Sequence, residues 1–370
     1  MTGRLIALDL PAGSGFFDSL QRVWDAGDAV FPVERRLPTA ATAAVIARMG
    51  AAAIIDGVGE HACSTDAAPV EAGDALVVAT SGSSGEPKGV VLTHDAVRAS
   101  AVATSARLGV TIGDHWLACL PLSHVGGLSV VTRALVTGTP LTIHDGFDAD
   151  RVDASEATLV SLVATAMQRI DTSRWRVIVL GGARPPHDRP VNTVTTYGMT
   201  ETGSGVVYDR RPLDGVELRI VDGEVHIRCP MLLRCYRDGL DPKTADGWFA
   251  TGDLGEVDAH GMLQVHGRRG DLIITGGENV WPEPVEAILR AQPGVFDAGI
   301  AGLDDPEWGQ VVTAFIVPAD PAAPPSLGDL RAAVKSELAA FNAPRRLVLV
   351  DTLPRTALGK IRRSDLAPPR

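Results

Sequence analysis

Two apolar, β-branched runs, "ALVVAT" and "VVLT", bracket the stretch Thr80–Gly89, "TSGSSGEPKG". Three glycines, a proline and four hydroxyl side chains cannot build a core, whereas the flanking runs read as buried strands. A buried strand therefore has to end in a Gly/Ser loop. Such a loop clusters backbone N–H groups, because glycine accepts the positive φ angles that aim successive N–H groups at one point. Lys88 adds a positive charge, and a polyphosphate is the ligand this suits. The pattern lacks G-x-x-x-x-G-K-[ST], so it is not the phosphate loop of the NTPases. The alternative is a flexible surface loop; the bracketing strands and the lone Lys88 after Pro87 weigh against it.

Elsewhere, "PTAATAAVIARMG" predicts a helix and "AAIID" a strand, within an Ala-rich stretch of weak signals over residues 1–75. "HDAVRASAVATSARLG" predicts a helix starting near Thr93 or Asp95, "HWLACL" a strand, "GGLSVVTRALVTG" a helix, and "PLTIHD" and "RVIVLGG" strands. Strand and helix in alternation predict a layered α/β domain with parallel strands. From about 215 the pattern changes: "VELRIV-DG-EVHIR" sets Asp-Gly between alternating apolar runs, a hairpin signal, and "LGEVDAHGMLQVHG" reads as another. After Arg269 come the strand "LIIT", the helix "PEPVEAILRAQ", two strands, a helix over about Ser326–Phe341 and the strand "RLVLV". The predicted architecture is α/β. It has a large N-terminal layered domain over 1–269, whose residues from about 206 form a small β-rich subdomain, and a small mobile α+β domain over 270–370.

The 370 residues carry a net charge of −11, which argues against a nucleic-acid partner. Anionic ligands must then meet local cations and backbone N–H groups. Cys63, Cys119, Cys229 and Cys235 match no zinc spacing and read as reduced, buried thiols. The N-terminus lacks the shape of a signal peptide, and "AAAIIDGVG" is too short and interrupted to span a bilayer. A cytoplasmic protein with no membrane insertion is expected, with a homodimer admitted as an assembly.

Further segments carry chemistry: "YGMTETGSG" (Tyr197–Gly205), "GWFATGDLG" (Gly247–Gly255), "GRRGDLIITGGENVWPEPVE" (Gly267–Glu286) and "LPRTALGKIRR" (Leu353–Arg363). In this order, and with Thr80–Gly89, they resemble the adenylate-forming superfamily of acyl-CoA synthetases, adenylation domains and luciferases, over roughly residues 75–365. The resemblance implies that Thr80, Ser81, Gly82, Ser83, Ser84, Gly85 and Lys88 wrap the ATP phosphates, and that Gly181, Gly182 and Ala183 run along the adenine. It implies that Tyr197, followed by Gly198, stacks on the base, that Thr200 touches phosphate and that Glu201 holds Mg2+. Asp253 would accept hydrogen bonds from both ribose hydroxyls with Arg268 assisting. Lys360 would bridge the α-phosphate and the acid. The chemistry suits these residue types. A carboxylate attacking phosphorus is one anion approaching another, so a lysine and a hard cation are needed, and no general base is. Each also has a bland reading: Glu201 as a helix-start acid, Asp253 as a turn cap, Lys360 as a solvated tail lysine.

In this superfamily the C-terminal domain rotates between two half-reactions. "ITGGENV" resembles the loop lining the pantetheine tunnel of coenzyme A, with Gly276 and Gly277 allowing close approach. The pivot falls on Gly270, where relatives mostly carry Asp or Lys; glycine permits both backbone states and holds neither firmly. "LPLSHVGGLSVVTRAL" lacks the Asp that amino-acid-activating relatives use for an amine. His124 instead precedes Gly126 and Gly127, and Arg133 follows on the helix. That pairing resembles the o-succinylbenzoate–CoA ligases of menaquinone biosynthesis, whose substrate has two carboxylates: the succinyl one is activated and the benzoate must be held. Arg133 and His124 are then the acid-binding candidates. The alternative for Arg133 is a solvent-facing position on an amphipathic helix. The expected activity is ATP-dependent acyl-CoA formation through an acyl-adenylate. The runners-up are a ligase for another aryl or short-chain acid and a stand-alone carrier-loading enzyme. A nucleotide-binding regulator that has lost catalysis is the reading from another class. The short stretch before Thr80 departs from most of the superfamily and bears on the N-terminal subdomain more than on the chemistry.

Overall fold

A computed structural model describes residues 2–63, 67–81, 87–182, 185–186, 188–355 and 361–367. Gly82, Ser83, Ser84, Gly85, Ala183 and Lys360 lie outside the described residues, as does the side chain of Ser81. The chain divides into two compact units. One comprises residues 1–219, 226–250 and 257–263; the other comprises 220–225, 251–256 and 264–370.

In the first unit, two seven-stranded sheets carry the α/β layers. One runs in the order Cys235–Tyr236, Pro87–Thr93, Asp74–Ser81, Ala29–Pro32, Leu5–Leu8, Ala53–Ile55, Glu60–Ala62. Its central strands are parallel, as the βα alternation implies. The Gly/Ser segment departs from that expectation. Asp74–Ser81 and Pro87–Thr93 are antiparallel, with Thr80 opposite Lys88 and Ser81 opposite Pro87. The reason is length: a parallel return needs a crossover of a dozen or more residues, and the segment between these strands is far shorter. The phosphate-loop candidate therefore joins the two arms of a β-hairpin.

The second sheet runs in the order Arg211–Pro212, Ser204–Tyr208, Thr193–Met199, Val177–Leu180, Leu159–Leu162, Trp116–Ala118, Leu141–Ile143. Its core is the apolar set of Leu117, Val160, Leu162, Ile178 and Leu180. The helix His94–Arg107 starts where the sequence places it: Thr93 Oγ1 accepts from the Ala96 N–H. The helix Val125–Thr137 is buried from Gly127 to Ala134 and stops at Gly138. Its entry needs glycine. A Cβ on Gly127 would lie 2.3 Å from the Leu120 carbonyl oxygen and 2.5 Å from that of Pro121.

In the second unit, a five-stranded sheet pairs Val295–Asp305 with Gly309–Pro318 in a long antiparallel hairpin, and Arg346–Leu349 joins the latter in parallel. The helices Pro282–Arg290 and Leu327–Glu337 cover it through Val285, Leu289, Leu330 and Val334. The helix expected to reach Phe341 ends at Glu337. Leu338 turns extended there, and both it and Ala343 pack on the sheet's core. Cys119 and Cys235 are buried as expected, whereas Cys63 and Cys229 are half-buried; burial pushes Cys119 up to about 12 and Cys229 up to about 11.

Gly127→Ala forces backbone against backbone and is expected to cost about 2–3 kcal/mol. Gly126→Ala, which meets only Leu120 Cδ1 at 3.6 Å, should be near neutral. Thermal unfolding of the two variants checks this; equal Tm shifts would contradict it.

Candidate functional site

The strand Thr193–Met199 breaks register between Tyr197 and Gly198 and then enters the 3-10 turn Thr200–Thr202. A Cβ on Gly198 would lie 2.2 Å from the Ser204 carbonyl oxygen, so the close return of the chain at this bulge requires glycine. Thr202 is fully buried and locks the turn: its hydroxyl accepts from the Met199 N–H at 3.0 Å and donates to the Ser204 carbonyl at 2.7 Å. Thr200 and Glu201 sit half-buried on this fixed turn.

Glu201 Oε1 accepts from the Tyr236 hydroxyl at 2.9 Å, and Lys88 Nζ lies over the Tyr236 ring, 5.1 Å from its centroid. Tyr236 thus connects the phosphate-hairpin lysine with the proposed metal carboxylate, a link that the sequence did not reveal. Beside it a cleft of about 170 Å³ is lined by Arg48, Lys88, Gly89, Tyr236 and Arg237. Arg237 is spent on backbone carbonyls of Met49, Ala68 and Pro69. A single carboxylate held by one tyrosine suits Mg2+, a cation that keeps waters and phosphate oxygens as its other ligands. Among the described residues no cluster of three or more His, Cys, Asp or Glu exists that could cage a metal alone.

Arg133 is 2% exposed, which removes the solvent-facing alternative. Its guanidinium carbon lies 4.8 Å from the centroid of the Trp116 ring, and Nη2 donates to Ser204 Oγ at 3.3 Å. Nε and Nη1 are buried without a hydrogen-bond partner among the described residues. Burial pushes its pKa below the ordinary arginine value. His124 precedes the first turn of the same helix, its Nε2 3.0 Å from Glu34 Oε2. Burial lowers the His124 pKa against the opposing pull of Glu34, so the ring is neutral at pH 7. Burial works against ionisation of Glu34 as well, but hydrogen bonds from Arg36 and Ser123 outweigh it and bring its carboxyl down to about 2. Glu34 and Arg36 were missed by sequence reasoning, being roughly ninety residues from His124 in a segment without a motif. A cavity of about 10 Å³, lined by Leu92, Val97, Val125, Ser129 and Thr132, lies nearby and holds neither Arg133 nor His124 in its wall.

In the second unit, Asp253 lies on the strand Phe249–Val257, 9% exposed at its side chain, with Oδ1 2.8 Å from Arg268 Nε. Arg268 also donates to the Thr251 carbonyl at 3.0 Å, and the Asp253 N–H donates to Thr251 Oγ1 at 3.1 Å. The expected pair is thus together. Arg269 faces Glu224 at 3.2 Å, and Gly270 follows it with no described atom beyond its chain neighbours within 4 Å of where a Cβ would stand. Gly276 and Gly277, at φ 58° and 84°, form the turn between Ile273–Thr275 and Glu278–Val280. A Cβ on Gly276 would meet the Trp308 ring at 2.8 Å, and the Arg345 guanidinium carbon lies over the same ring, 3.6 Å from its centroid. Gly181 and Gly182 end the strand Val177–Leu180, with a Cβ on Gly181 only 2.8 Å from Thr196 Oγ1.

The AMP-binding enzyme family matches residues 57–236, and the AMP-binding enzyme C-terminal domain matches residues 284–360. The chain is 39% identical over 323 residues to a probable 2-succinylbenzoate–CoA ligase of Mycobacterium tuberculosis, covering 79% of this chain and 83% of that relative. It is 33% identical to a 2-succinylbenzoate–CoA ligase of Listeria monocytogenes, covering 79% and 69%. The structure of o-succinylbenzoate CoA synthetase from Bacillus subtilis in complex with its acyl-adenylate intermediate OSB-AMP is similar at a TM-score of 0.88 and 28% identity. That match covers 100% of this chain and 89% of the other. The same enzyme in complex with ATP and magnesium ion gives 0.85.

Glu34→Gln should lower stability at pH 7 by about 1–2 kcal/mol through loss of the charged hydrogen bonds to Arg36 and Ser123. Because the folded carboxyl titrates near 2 and an unfolded one near 4.5, the wild-type advantage is complete above about pH 5 and disappears as pH falls towards 2. Urea unfolding of both proteins from pH 7 to 3 measures it; a pH-independent difference would contradict the assignment.

Proposed function

The chain belongs to the AMP-binding enzyme family, and from that premise we propose that it is an ATP-dependent acid–CoA ligase that converts 2-succinylbenzoate to 2-succinylbenzoyl-CoA, a step of menaquinone biosynthesis. The succinyl carboxylate attacks the α-phosphorus of ATP, pyrophosphate leaves, and an acyl-adenylate remains. The thiolate of coenzyme A then attacks the acyl carbonyl and AMP departs.

Each candidate takes a part in this reading. The backbone of Thr80–Gly85 and Lys88 hold the β- and γ-phosphates, and the antiparallel arms on either side fix where that segment begins and ends. Gly181 to Ala183 and Tyr197 flank the adenine, and Asp253 with Arg268 receives the ribose. Glu201, steadied by Tyr236, is the carboxylate that would hold Mg2+, which when bound withdraws charge from the phosphates. Thr200 contacts phosphate from the same turn. Lys360 neutralises the two anions as they meet. Gly270 is the pivot between 1–269 and 270–370, a position where no steric demand calls for glycine. The Gly276–Gly277 turn leads the pantetheine arm inward, with Trp308 and Arg345 beside it for the rest of the carrier. The enzyme is taken to act in the cytoplasm, and no described helix is long and apolar enough to cross a membrane.

The identity of the acid rests on Arg133. A buried guanidinium with two unpaired nitrogens among the described residues is complementary to a carboxylate. An acid with a second carboxylate supplies one, and His124 stands at the entry of the same helix. Pyrophosphate release should be fastest with 2-succinylbenzoate and at least tenfold slower, at equal concentration, with benzoate, fatty acids and amino acids. Comparable release with a monocarboxylate would contradict the substrate, and release of ADP in place of AMP and pyrophosphate would contradict the reaction.

A further inference from the structure

The described residues that flank 356–360 are held firmly within the second unit. Arg355 and Ile361 pair in an antiparallel bridge, and the Arg362 N–H donates to the Pro354 carbonyl at 2.8 Å. Arg355 also pairs with Asp297. Leu353, Ile361 and Leu366 close over Gly299, where a Cβ would find them at 3.3–3.5 Å. These contacts fix the two ends of the segment. They do not tie it to the pivot.

Arg363 does. It lies in the 3-10 turn Arg363–Asp365, 15% exposed at its side chain. Its guanidinium meets three carboxylates from two other elements. Nη1 is 3.1 Å from Asp271, the residue after Gly270. Nη2 is 3.2 Å from Glu283 and 3.0 Å from Glu286, both on the helix Pro282–Arg290. Glu286 is 2% exposed and carries the connection inward. Its Oε1 also accepts from the Ile300 N–H at 3.0 Å, in the edge strand Val295–Asp305, and its Oε2 accepts from Arg290 at 3.2 Å. One planar cation therefore joins the pivot loop, a helix and an edge strand to the chain three residues beyond Lys360. Without it three acids would face one another, partly buried, and the loop after Gly270 would lose its hold.

We infer that Arg363 is a positioning residue: it couples the chain that follows Lys360 to the backbone beside Gly270. The inference rests on the role of Lys360 proposed above. A lysine misplaced by about 1 Å costs on the order of a hundredfold in rate, whereas the thioester step does not use that lysine. A purely structural ion cluster would damage both steps alike.

The test measures the half-reactions separately. One arm follows single-turnover pyrophosphate release with ATP and 2-succinylbenzoate; the other follows thioester formation from supplied acyl-adenylate and coenzyme A. Arg363→Ala should slow the first by roughly a hundredfold at saturating ATP and leave the second within about threefold. Asp271→Asn should shift the first in the same direction, by about tenfold. Arg363→Lys, which keeps the charge and loses the fork, should fall between wild type and Arg363→Ala. An unchanged first step, or an equal fall in both, overturns the inference. If Arg363→Ala does not fold, the same two criteria apply to Asp271→Asn and Arg363→Lys. Lys360→Ala serves as the control. Native adenylation there sinks the proposed role of Lys360 together with this inference, while loss there beside an unaffected Arg363→Ala sinks the inference alone.

Discussion

A guanidinium buried with most of its donors unpaired among the described residues is costly, and the first unit holds one, Arg133. Desolvating such a cation carries a penalty of several kcal/mol that packing alone does not recover. Trp116 offers its ring face, and Ser204 offers one oxygen. The helix carrying Arg133 is seated deeply because Gly127 lets it touch the backbone of Leu120 and Pro121. The same helix entry places His124 against Glu34, and Glu34 is itself held by Arg36 and Ser123. Sequence-distant residues thus set the charge pattern of one helix, and among the described residues Nε and Nη1 of Arg133 are left without a partner.

The second unit solves a related problem in the opposite way. Its buried cation, Arg363, is surrounded by carboxylates, so the cluster is nearly self-sufficient. Burial nevertheless raises the Glu283 pKa against the pull of Arg363, with Glu286 and Asp271 adding smaller contributions. A cation without a carboxylate suits ligand binding; one ringed by carboxylates suits mechanical coupling.

Much of this was legible in the sequence, and for local reasons. The Thr93 cap, the strand ahead of the Gly/Ser segment, the Gly276–Gly277 turn and the meeting of Asp253 with Arg268 follow from short-range signals or from a motif order. The antiparallel return after Ser81 was missed because apolar runs reveal burial and not direction, although segment length contained the answer. The end of the helix at Glu337 was missed because packing of Leu338 overrode propensity. Glu34, Tyr236 and the carboxylates around Arg363 had no local signal at all. Each acquires its role from a partner far away in the chain, and an isolated Glu or Tyr in a sequence carries no mark of that partner.

The central claim is that Arg133 recognises a second carboxylate on the acid. The most direct measurement compares kcat/KM for 2-succinylbenzoate and for 4-oxo-4-phenylbutanoate, the same molecule without the ring carboxylate, in wild type and in Arg133→Ala. A charged hydrogen-bonded pair is worth about 1.5–3 kcal/mol, so wild type should prefer the dicarboxylate by roughly ten- to a hundredfold and the variant should hardly discriminate. The same preference in both proteins would contradict the account.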